Sequence, residues 1–210
     1  MELKGKKIVF LGDSITEGSG TSCEAARFTC VLKEMAGLSE IRNYGIGGTR
    51  IARQIACPDT TDFCARFSGM DDDADAVVVF GGTNDYGHGD APFGEFTDRT
   101  PQTFCGAVHY LFRGLIEKYP TKPIIIITPM HRIHDYKPNS SNQKVLKDYV
   151  DVIREAAEMY SLPVLDLFAS FGICLDIPEQ KEAFCPDGLH PNDAGNRVLA
   201  EKLKKFLEAI

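Results

Sequence analysis

"AVVVFGGTND", residues 76–85, opens with five apolar residues that show no polar alternation. A β-branched run of that kind suits a strand covered on both faces. Two glycines stop it, and Thr83, Asn84 and Asp85 follow at its carboxyl end. "PIIIIT", residues 123–128, has the same character. Shorter apolar runs at residues 7–11, 41–44 and 163–167 bring the expected strands to five. Helical patterns lie between them. Residues 24–36 carry apolar side chains at helical spacing and end at Gly37. Thr100 and Pro101 read as the cap and first residue of a helix running to about Tyr119. Residues 143–160 are amphipathic, and a last helix runs from about Asn192 to Leu207. Alternating strands and helices imply a parallel sheet with helices on both faces. No repeat, low-complexity tract or linker interrupts the pattern, so residues 1–210 read as a single α/β domain.

Composition narrows the function. The chain has 210 residues, 43% hydrophobic and 25% charged, with a net charge of −7. A domain of this size buries roughly 70–75% of its extended surface, so it needs no staples. The acidic balance argues against a nucleic-acid surface, which requires clustered Lys and Arg. The basic group Lys202, Lys204 and Lys205 alternates with apolar residues and reads as a solvated helix face. No apolar stretch approaches the roughly 20 residues that span a bilayer. The start, "MELKGKKIVF", is too charged for a signal peptide, which points to a cytoplasmic protein. Seven cysteines, at 23, 30, 57, 64, 105, 174 and 185, form no C-x-x-C pair and read as reduced thiols. In a secreted protein, Cys57 and Cys64 would be one pair to check.

In a parallel sheet, ligands sit beyond the carboxyl ends of the strands. Four blocks fall there. They are Gly12-Asp13-Ser14, "NYGIGGTR" at residues 43–50, "GGTNDYG" at 81–87, and "CPDGLHPND" at 185–193. Each alone is also a plain turn, since Gly, Asp and Asn suit turn geometry and Ser caps helices. Together they supply what serine attack on an ester requires. The hydroxyl needs a base, the base needs a carboxylate, and the oxyanion needs donors. Asp187 and His190 stand three residues apart around the turn-forming Gly188. A tight turn would put the carboxylate on Nδ1 and leave Nε2 facing Ser14. Asn84 offers a side-chain amide, Gly47-Gly48 an unobstructed backbone, and Ser14 its own N–H at a helix start.

The four blocks, in this order, resemble the SGNH or GDSL-type esterase and lipase family. The resemblance covers nearly the whole chain. It implies a flavodoxin-like three-layer sandwich with a five-stranded parallel sheet. It implies Ser14 as nucleophile, Asp187 and His190 as its partners, and oxyanion donors from Ser14, Gly48 and Asn84. Counting from Asn43 selects Gly48, with Gly47 adjacent as an alternative. It accounts for the missing G-x-S-x-G elbow, because "GDSIT" has no glycine two residues after Ser14.

The expected activity is a metal-independent serine esterase with no cofactor. Its partner would be a small ester substrate. Residues 86–99 and 130–142 mix Tyr86, His88, Phe93, Phe96 and Tyr136 with Arg99, His131, Arg132 and His134. Rings among polar donors suit a short acyl ester, chiefly acetyl, of a sugar or other polar alcohol. The rivals are a lysophospholipase or lipase of the same family and an inactive carbohydrate-binding or scaffold protein. Asp13 and Asp85 read as turn supports. Asp71, Asp72 and Asp73 read as a solvated run. His131 and His134 have a spacing seen in metal sites, without a further ligand nearby.

Overall fold

The computed structural model describes residues 1–54 and 61–210. Its elements run β1 (Lys7–Gly12), α1 (Ser14–Glu17), α2 (Phe28–Ala36), β2 (Glu40–Gly45), α3 (Phe63–Arg66), β3 (Ala76–Phe80), α4 (Thr83–His88) and α5 (Phe104–Lys118). Then follow β4 (Ile124–Ile127), α6 (Leu146–Met159), β5 (Val164–Leu165), α7 (Leu167–Ser170), α8 (Pro178–Phe184) and α9 (Asp193–Ala209). The strands form one parallel sheet in the order β2-β1-β3-β4-β5. Register aligns Gly12 with Gly45 and Phe80, Phe80 with Ile127, and Ile127 with Leu165. One edge therefore carries every carboxyl end in a single row.

The continuous apolar runs bury both faces. Val9, Leu11, Val77, Val79, Ile124 and Ile126 point into one layer, against α5 and α6. Ile8, Phe10, Val78, Phe80, Ile125 and Ile127 point into the other, against α9 and Phe28 and Leu32 of α2. Each such side chain contributes roughly 1.5–3 kcal/mol by leaving water. β2 is an edge strand with only partly buried side chains. That departs from full coverage, because nothing pairs with its outer side among the described residues.

Several element ends differ from expectation, each for a tertiary reason. The helix expected over residues 24–36 breaks at Arg27, whose backbone is extended. A 3-10 turn over Glu24–Ala26 precedes the break, and Asn196 Oδ1 of α9 accepts the Phe28 N–H at 3.0 Å to restart the helix. Thr103, rather than Thr100, caps α5, its hydroxyl accepting the Gly106 N–H at 3.1 Å. The Pro101 carbonyl is engaged instead by the Arg53 N–H at 2.8 Å. α6 starts at Leu146, whose N–H goes to Asp135 O at 3.0 Å. β5 pairs through only two residues, because Asp166 already caps α7. The acidic run is not simply solvated. Asp71 and Asp73 bind the Lys7 ammonium at 2.8 and 2.6 Å, and Asp71 also accepts from Arg42 and Tyr44. The six cysteines among the described residues are free thiols. Cys57 lies outside those residues, so the Cys57–Cys64 pairing does too.

Candidate active site

Ser14 opens α1 directly after β1 and is nearly buried. Asp13 caps this four-residue helix, its carboxylate accepting the Ile15 N–H at 3.0 Å. The first N–H of a helix has no preceding turn to bond to, which leaves the Ser14 N–H available to a ligand. Asn43 on β2 holds the turn from the side. Its amide donates to Thr16 O at 2.6 Å and its oxygen accepts the Gly45 N–H at 2.8 Å. Residue 45 must be glycine here, since a β-carbon would stand 2.2 Å from the Glu17 nitrogen.

The segment before α9 meets Ser14 from 176 residues away. His190 Nε2 lies 2.9 Å from Ser14 Oγ. Its Nδ1 lies 2.7 Å from Asp187 Oδ2, while Asp187 Oδ1 accepts the N–H groups of Leu189 and His190 at 2.8 and 2.7 Å. Partial burial opposes the Asp187 charge, but the His190 N–H, its imidazole and the Leu189 N–H outweigh it. The carboxyl is held below its ordinary range. Gly188 has a φ of +76°, and a β-carbon there would stand 2.4 Å from Ile133. The Ile133 N–H donates to Gly188 O at 2.9 Å, which seats the loop after β4 on this turn.

The donors expected opposite the hydroxyl lie on the same edge. Gly47 and Gly48 occupy a turn closed by the Thr49 N–H on Ile46 O at 3.3 Å. Neither glycine's N–H has an acceptor among the described residues. Gly48 has a φ of +74° and open space where a β-carbon would be, while a β-carbon on Gly47 would stand 3.8 Å from Ser14 Cβ. Asn84, in the first turn of α4, gives one amide hydrogen to Thr49 O at 3.1 Å. The other hydrogen has no acceptor among the described residues. The neighbouring Asp85 carboxylate accepts the Ile51 and Ala52 N–H groups, both at 2.9 Å, and so ties α4 to the glycine turn.

Arg66 is the residue that sequence reasoning passed over. Its guanidinium donates to Gly12 O at 2.6 Å, to Tyr44 O, to Thr49 Oγ1 at 3.1 Å and to Thr61 O at 2.8 Å. One side chain thus joins the ends of β1 and β2 to the glycine turn. Burial lowers its pKa to about 10. Burial also raises Asp13 to about 7 and Asp85 to about 6. The only local signal was one cation in the apolar stretch 63–67.

The two flanking segments divide. Phe93 stacks on Phe104 and meets Tyr149 edge-on, and Phe96 packs on His109. Both therefore pack on the α5–α6 side of the core. His131 and His134 do not converge on a shared point. His131 Nδ1 lies 2.5 Å from the buried Asp135 carboxylate, whereas His134 is exposed. No group of three His, Cys, Asp or Glu residues suited to a metal occurs among the described residues. No described helix is long and apolar enough to cross a membrane.

An Oγ–Nε2 contact, an Nδ1–carboxylate contact and unpaired N–H donors on one edge form a set able to perform acyl transfer. The GDSL-like lipase/acylhydrolase family matches residues 10–198, and the chain belongs to that family. A solved structure of a protein from Lactobacillus plantarum is 33% identical, with a TM-score of 0.86 over 99% of this chain and 98% of that one. The acetyl xylan esterase AlAXEase shares the fold at 23% identity and a TM-score of 0.67, over 97% of this chain and 99% of that one. A two-domain esterase active on acetylated mannans shares it at 21% identity and 0.68, over 99% of this chain but 49% of that one. Among curated proteins none matches significantly.

Proposed function

We propose that this chain is a metal-independent serine esterase that removes short acyl groups, chiefly acetyl, from a sugar or another polar alcohol. The carrying observation is the 2.9 Å contact between Ser14 Oγ and His190 Nε2, with Asp187 on the opposite ring nitrogen. His190 takes the Ser14 proton as Oγ attacks the acyl carbonyl. Asp187 holds the tautomer and stabilises the imidazolium. The oxyanion receives hydrogen bonds from the N–H groups of Ser14 and Gly48 and from the Asn84 amide. The intermediate collapses, and His190 returns the proton to the departing alcohol. Water then attacks the acyl-enzyme with His190 again as base, which frees Ser14 and releases the acid. Family membership supports ester hydrolysis. The acetyl preference draws on the polar loop after β4 and on the two acetyl-ester-cleaving proteins that share the fold.

Ser14→Ala should abolish turnover of p-nitrophenyl acetate while the melting curve stays close to the parent's. A fluorophosphonate should label Ser14 in the parent only. Labelling at another serine, with Ser14→Ala still active, would remove the mechanism.

A further inference from the structure

We infer that a cavity beside the Ser14 site is a subsite for a second pyranose ring, so that the substrate is an acylated oligosaccharide; this rests on the esterase reading above. The cavity measures about 410 Å³ and lies beyond the ends of β4 and β5. That volume falls in the range of small-ligand sites. His131, Tyr136, Phe168, Asp176 and Gln180 are among its lining residues.

Position links it to the reaction centre. Two strand steps separate β1 from β4 in the sheet order. At about 4.8 Å per step, the end of β4 stands roughly 10 Å along the edge from the end of β1, where Ser14 follows, a span that a disaccharide covers. Arg132 bridges the interval. It lines the cavity, and its guanidinium reaches Thr83 O at 3.3 Å, next to Asn84. Ile133 seats the same loop on Gly188, two residues before His190.

Leu167, Phe171, Ile173 and Leu175 also line the cavity but are buried, so the groups a ligand meets at its mouth favour a sugar over an acyl chain. Tyr136 is 64% exposed, which leaves its ring free to cover a pyranose face. The His131 ring lies 4.0 Å from the Phe168 ring, centroid to centroid, and its Nδ1 is anchored on Asp135. With Nδ1 held by Asp135, Nε2 is the ring nitrogen left to meet a ligand hydroxyl. Gln180 Oε1 accepts the Cys174 N–H at 2.6 Å, which leaves its amide N–H groups as donors. Asp176 adds an exposed carboxylate. An acyl chain would strip water from these groups without replacing their hydrogen bonds, whereas ring hydroxyls replace them.

The test compares kcat/KM for acetylated mono-, di- and trisaccharides of one pyranose. The parent should gain about tenfold from mono- to disaccharide. Tyr136→Ala and His131→Ala should each remove most of that gain through KM. They should lower the disaccharide value at least five times more than that of p-nitrophenyl acetate. Equal values along the series, or a gain that survives both variants, would overturn the subsite. A gain with octanoyl esters that His131→Ala abolishes would make the cavity an acyl pocket instead. Calorimetry with the unacetylated trisaccharide separates this proposal from the esterase reading. Binding to the parent that weakens in Tyr136→Ala supports the subsite even if no ester is cleaved, and no binding to the parent refutes it.

Discussion

Asp13→Asn is the perturbation whose size follows most directly from the structure. Asp13 is buried, and its carboxyl is raised from 3.8 to about 7. Burial is the main cause, with the neighbouring Asp85 charge adding to it. The Ile15 N–H and Arg66 only partly offset these. A folded-state value above the unfolded one means that the native chain keeps a proton where the unfolded chain has lost it. The native state therefore loses stability as pH rises from about 4 to 7. At about 1.4 kcal/mol per pH unit, the charged carboxylate costs the fold about 4 kcal/mol above that window. Asparagine carries no charge and its amide oxygen can still accept the Ile15 N–H. The variant should match the parent near pH 3 and exceed it at pH 8. At roughly 2–4 °C per kcal/mol for a chain of this size, the gain in Tm approaches about 10 °C. Thermal melts of both proteins between pH 3 and 8 read the difference. A Tm difference that stays constant with pH, or one that favours the parent increasingly toward pH 8, would refute the reasoning.

Asn84→Ala should lower kcat on p-nitrophenyl acetate by about 10²–10³ with little change in KM, because its amide bonds the oxyanion more strongly than the ground-state carbonyl; steady-state kinetics checks it. Arg66→Lys should lower kcat at least tenfold and reduce Tm, because an ammonium cannot match the fork that joins Gly12, Tyr44 and Thr49. An unchanged kcat would show that the glycine turn holds its shape unaided. Across p-nitrophenyl acetate to decanoate, kcat/KM should fall with chain length, and a steady rise would promote a lipase over an acetyl esterase.

The strands and the chemical blocks were readable because they are local. Residues 76–80 and 124–127 carry no polar side chain toward either face, so burial on both sides was written into their composition. Gly12-Asp13-Ser14 and Asp187-Gly188-Leu189-His190 were readable because turn formation depends on neighbours within a few residues. Their meeting was an inference from topology, and the structure realises it by bringing the segment before α9 to the end of β1, with His190 Nε2 2.9 Å from Ser14 Oγ.

Contacts between distant elements decided the rest. Helix starts moved from 24 to 28 and from 101 to 104 because Asn196 capped one and Arg53 engaged the Pro101 carbonyl. Phe93 and Phe96 have the composition of a sugar platform, yet core partners on α5 and α6 claimed them. Arg66 lies in an apolar stretch whose sequence names none of its acceptors on β1, β2 and the glycine turn. The physical reason is one of range. Periodicity and turn chemistry act over a few residues and are visible in the order of the chain. Burial energy and hydrogen-bond geometry act between whichever groups the crossovers bring within a few ångströms, and only the folded molecule selects those groups.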